Sequence, residues 1–126
     1  MITWAKSIAI TSVAFFAPVY AIIGTTVVFV LLDTITGILL ALKLKKRITS
    51  RKLSRAVAKM LVYSLTICLA FALQKVFAPE FPIQNMATSL IGLSEVLSIL
   101  ENLNGLSHTK ILDRIIDALK KNDDKE

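Results

Sequence analysis

Two carboxylates sit where a carboxylate is expensive. Asp33 lies inside the apolar run 19–42 and Glu95 inside the run 83–100, and an ionised acid at the centre of a bilayer costs ~2.5–3.5 kcal/mol on insertion scales. Counting along each run puts the two acids at similar depth, near the midplane or slightly to one side, with no Lys or Arg expected in the core to pair with them. They are therefore expected to be protonated, turned to a polar crevice, or turned to one another and to water. Asn85, Thr88, Gly92, Ser98 and Asn102 recur with Glu95 at helical spacing, which aligns them on one stripe of the last run, away from Leu90, Ile91, Leu93, Leu97 and Leu100. Lipid does not tolerate such a stripe. The plain use for it, and for Asp33, is hydrogen bonding between helices. The functional use is a ring of copies that turns Asp33, Gly24, Gly37 and the stripe inward to line water, because a single three-helix chain does not easily hide them.

Little other chemistry is available. No nucleophile and base are spaced for activation and no glycine-rich phosphate loop occurs, so neither a catalytic residue nor an enzyme is expected. Cys68, the only cysteine, stands in an apolar run and reads as packing. His108, the only histidine, reads as a loop residue, so no metal site and no cofactor are expected.

The elements that position the two acids follow from the hydrophobic pattern. The chain has 126 residues, 55% of them hydrophobic, with a mean hydropathy of +0.68. The apolar residues bunch into long runs instead of striping one face, and ~20 such residues cross the hydrocarbon. The expected fold is an all-α integral membrane protein with about three transmembrane helices, at 19–42, 57–78 and 83–102. Residues 1–17 read as an interfacial helix, with Thr3, Lys6, Ser7 and Thr11 opposite Ile2, Ala5, Ile8, Ala9 and Val13, ending before Pro18. A cleaved signal peptide competes weakly, since the positive start is slight. Pro79 and Pro82 mark a turn, and Lys59 and Lys75 are placed to snorkel from the ends of the second span. Asn104 and Gly105 read as a helix stop and Ser107 as the cap of a last amphipathic helix within 104–126, with Ile111, Leu112, Ile115, Ile116 and Leu119 on one face.

The net charge is +6. Lys43, Lys45, Lys46, Arg47, Arg51, Lys52, Arg55 and Lys59 follow one another with no acid between them. Nucleic acid is a poor partner for a cluster set between two spans. A cytoplasmic loop over 43–56, touching anionic lipid at ~1 kcal/mol per cation, is the economical reading. Orientation follows: amino terminus outside, carboxy terminus inside.

Three patches resemble the phage holins of the toxin-secretion and lysis type found in Gram-positive bacteria and their phages. Leu32-Asp33-Thr34-Ile35-Thr36-Gly37 is similar to that family's Asp-x-x-x-Gly element. Ser50-Arg51-Lys52, followed by Arg55 and Lys59, is similar to its Ser-Arg-Lys segment. Ser94-Glu95-Val96-Leu97-Ser98-Ile99-Leu100-Glu101-Asn102-Leu103 is similar to its Glu-x-x-Ser-Ile-x-Glu-Asn end of the last span. The chain departs at Ala56, where glycine is usual, and at Ser107 or His108, where proline commonly follows the span. The resemblance implies a homo-oligomer that accumulates in the bacterial cytoplasmic membrane and opens it at a set time, depolarising the cell or releasing an endolysin it need not touch. The rival from the residues alone is a membrane anchor that docks a partner through its last helix.

Overall fold

Long apolar runs bounded by charge or proline form helices because, in hydrocarbon, each backbone N–H and C=O must be satisfied within its own segment. The computed structural model describes residues 2–107 and 110–124. Among them run five α-helices: α1 (Ile2–Phe16), α2 (Tyr20–Lys43), α3 (Ser50–Phe77), α4 (Ile83–Ser107) and α5 (Lys110–Asp123), with a 3-10 turn, Ala17–Val19, between the first two. Three stretches are long and apolar enough to cross a membrane: Ile2–Lys43, which takes in α1, the 3-10 turn and α2, then Ser50–Phe77 and Ile83–Ser107. The protein is an all-α, multi-pass membrane protein.

Helices α2, α3 and α4 pack mutually, with α2 against α4 the most extensive contact. Hydroxyls on these helices are neutralised locally: Thr25, Thr26, Thr34 and Thr66 each donate to the carbonyl four residues back. The outside of the bundle is apolar. Val28, Leu31, Leu32, Ile35 and Leu39 on α2, and Leu61, Val62, Leu65, Leu69 and Val76 on α3, are all exposed, a surface far larger than water tolerates and suited to acyl chains.

Inside, the bundle divides. At the end bearing the α3–α4 turn, Val19, Ile67 and Phe71 are buried with Phe15, Phe16, Ile22, Ile23, Cys68 and Ile91 packed around them. Lys75 lies over the rings of Phe15 (4.9 Å) and Phe71 (5.3 Å). Pro18 lacks an N–H and interrupts the helical ladder here, and the Tyr20 hydroxyl donates to the Val13 carbonyl at 2.7 Å across the break. The other end is polar.

Two local expectations are corrected. The basic segment 43–56 is only partly a loop: α3 begins at Ser50, so Arg51, Lys52, Arg55 and Lys59 are helical, with Thr49 extended before them. Asn104 and Gly105 do not stop a helix, since α4 runs on to Ser107, and the cap expected at Ser107 turns on residues 108 and 109, which lie outside the described residues. A Cβ at Gly105 would meet Leu40 Cδ1 at 2.7 Å, so this glycine serves the close approach of α4 to α2. His108, read as a loop residue, lies outside the described residues.

Candidate functional site

The polar end is organised by Lys59. Because α3 starts at Ser50, Lys59 stands more than two turns inside the helix, on the same face as the buried Ala56 and Ile67. Its ammonium donates to Asp33 Oδ2 and to Glu95 Oε1, both at 3.1 Å. This overturns the expectation that no basic residue reaches the two acids, and the snorkelling position expected for Lys59 with it. One cation joins all three spans.

The remaining valences are mostly filled. Tyr63 donates to Glu95 Oε1 at 2.8 Å. Ser98 donates to Asp33 Oδ1 at 2.6 Å, and Asn102 Nδ2 reaches Asp33 Oδ1 and the Asp33 carbonyl, both at 3.1 Å, and Thr36 Oγ1 at 3.0 Å. Glu95 is fully buried, while 13% of the Asp33 side chain and 32% of the Lys59 side chain remain exposed. Two features stay open. Two carboxylates share one ammonium, and Glu95 Oε2 is buried without a hydrogen-bond partner. Leaving a buried charged oxygen unmet is costly.

Of the residues singled out from sequence, Asp33, Glu95, Ser98 and Asn102 meet in this network, and Gly37 lies against it, the position of its missing Cβ 3.5 Å from Asn102 Nδ2. A single chain therefore hides this half of the stripe, contrary to expectation. The other half does not join: Asn85 is exposed, and Thr88 and Gly92 line a shallow recess with Thr25, Thr26 and Phe29 of α2. Glu101 points elsewhere, to Lys120 of α5 at 3.1 Å on the exposed side. Thr36 and Tyr63 were missed from sequence. Tyr63 lies one turn from Lys59 on the buried face of α3, which is the signal that could have found it.

The basic residues also separate by role. Lys43 donates to the carbonyls of Gly105 (3.0 Å) and Leu106 (2.9 Å), closing the carboxy end of α4. Lys45 takes a left-handed backbone (φ 56°), and the backbone N–H groups of Lys45 and Lys46 donate to the carbonyls of Leu42 and Ala41, which ends α2. Lys46, Arg47, Arg51 and Arg55 are exposed. Lys52 approaches the Gly37 carbonyl at 3.5 Å.

The arrangement holds no paired nucleophile and base; what it can do is fix three helices relative to one another, or release them. These features define a class: a small multi-pass membrane protein closed around a buried ionic network. The chain matches the model of the bacteriophage holin family over residues 10–122 and belongs to that family, a membrane-permeabilising, non-enzymatic one. The match takes in all three resembling patches. No curated protein and no solved structure matches the chain.

Proposed function

We propose that this holin assembles into homo-oligomers in the cytoplasmic membrane of the host bacterium and opens it, depolarising the cell or releasing an endolysin. The observation that carries the reading is the Lys59 network: one ammonium, two carboxylates and an unmet Glu95 oxygen held between three helices whose outer surface is apolar. Closed, it lets a single chain sit in lipid. Opened by separation of α2 from α4, it turns Asp33, Gly37, Glu95, Ser98 and Asn102 to water, which meets the valences the closed chain leaves open. Asn85, Thr88 and Gly92 extend that polar stripe along α4, so the face has the length a water path needs.

Helix α5 fits the same reading. It folds back along α4, and Asp123 shares a recess with Leu90, Leu93, Ser94 and Leu97, while Asp113, Arg114 and Asp117 are exposed beside the span. Hydrocarbon does not accept those charges. In the bilayer α5 moves to the cytoplasmic surface and uncovers this face of α4 for a second copy. The basic residues keep their end of the bundle inside and on anionic lipid, with the amino terminus outside and α1 in the outer interface, where Trp4 anchors it.

The test is inducible expression with and without a cytosolic endolysin, following optical density, membrane potential and release of a cytosolic protein. Delayed, abrupt lysis only with the endolysin is the expected result for a protein-sized lesion. Depolarisation without protein release marks a small one. Continued growth with polarised membranes, despite confirmed insertion, contradicts the proposal and favours an anchor.

A further inference from the structure

A crevice of about 270 Å³ opens beside the network, between α2, α3 and α4, and its lining is basic on one side. Lys52, Arg55 and Lys59 line it from α3, spaced so that all three project from one face of that helix. Asp33 and Gly37 line it from α2, and Ser98 and Asn102 from α4. Lys59 is already engaged by Asp33 and Glu95. Lys52 has only a long contact to the Gly37 carbonyl, and Arg55 makes no ion pair or hydrogen bond among the described residues. Two cations therefore face the crevice with their charge unspent; set against Lys59 and its two carboxylates, they leave the cluster one positive charge in excess, which one phosphodiester neutralises.

We propose that this crevice is a binding site for the headgroup of an anionic phospholipid of the leaflet that the basic end of the bundle faces. A lipid fits better than a free anion because the crevice adjoins the acyl-facing surface. Leu53 and Val57, next to Lys52 and Ala56 along α3, are exposed, as is Leu39 on α2, so a phosphate held by Lys52 and Arg55 leaves its chains an apolar wall to follow. Basic pockets between spans on the cytoplasmic side are suited to such headgroups. This goes beyond a diffuse attraction of the whole basic segment, because Lys45, Lys46 and Arg47 do not line the crevice. The headgroup, held by Lys52 and Arg55, fills a crevice that α2, α3 and α4 line together only in the closed arrangement, so its occupancy favours that arrangement. The site rests on the proposed orientation of the basic end towards the cytoplasmic leaflet, and its test does not depend on permeabilisation.

The 126-residue chain in mild detergent is titrated with phosphatidylglycerol or phosphatidylcholine, and bound lipid is counted by native mass spectrometry. One phosphatidylglycerol per chain is expected, retained in preference to phosphatidylcholine. Arg55→Gln and Lys52→Gln are each expected to weaken retention about fivefold, the loss of roughly one surface cation. Lys45→Gln with Lys46→Gln removes two cations outside the crevice and is expected to leave retention within about twofold. Because Arg55 is exposed and Lys52 half-buried, these changes spare the core. Equal losses from crevice and loop substitutions, or no loss from either, overturn the site. Displacement of the lipid by millimolar inorganic phosphate overturns its assignment to a lipid.

Discussion

The two ends of the bundle are closed by different forces. Around Val19, Ile67 and Phe71 the contacts are apolar and aromatic, and in a bilayer such contacts have little drive behind them, because lipid tails are as apolar as the side chains they would replace. Around Lys59 the contacts are short, directional and charged, and each names its partner. The aromatic end can therefore exchange a neighbouring helix for lipid or for another copy at small cost. The ionic end specifies one arrangement and comes apart only if water replaces it.

The sharpest way to break this contrast is Lys59→Met. It strands two carboxylates among three helices and is expected to destabilise the reconstituted bundle by about 3–5 kcal/mol, read from denaturant-driven loss of helix packing. Combining it with Asp33→Asn and Glu95→Gln removes every charge while keeping shape, and most of that loss should return. If the triple variant is as unstable as the single one, shape rather than charge closes this end.

Gly105→Ala probes the close approach of α4 to α2 beside the network. The new methyl displaces the end of Leu40, with an expected cost on the order of 1 kcal/mol. At the other end, Phe71→Ala removes ring contacts with Phe15 and Phe16 and should cost about 0.5–1.5 kcal/mol beyond what lipid refills. A Phe71→Ala loss exceeding that of Lys59→Met reverses the comparison. Smallest of all is Lys120→Met: its exposed pair with Glu101 forms only while α5 lies along α4, and its loss should change stability by no more than about 0.5 kcal/mol.

The spans, the concentration of basic residues and the intramembrane acids were legible because apolar run length and charge position are one-dimensional signals. The pairing of the acids was not. Counted from the start of its apolar run, Lys59 looks like an end residue; counted from Ser50, where α3 begins, it is interior. Ala56, Tyr63, Ile67 and Ala70 continue its stripe, and a lysine that shares the buried face of a helix faces protein instead of headgroups. Gly105 misled for a related reason. Asn-Gly favours a helix end locally, but close contact with Leu40 sets the use of this glycine, and that contact is invisible along the chain. The fold of α5 onto α4 was equally hidden, because an amphipathic pattern states that a face is covered without stating by what.

The most direct test of the account is the onset of depolarisation in cells expressing the wild-type chain, Lys59→Met, and the triple variant Asp33→Asn, Lys59→Met, Glu95→Gln, at matched membrane abundance. If the network is the latch of the closed chain, Lys59→Met depolarises the membrane earlier than wild type, while the triple variant, closed and without charges to present to water, does so later or not at all. A common onset for all three contradicts a latch at Lys59.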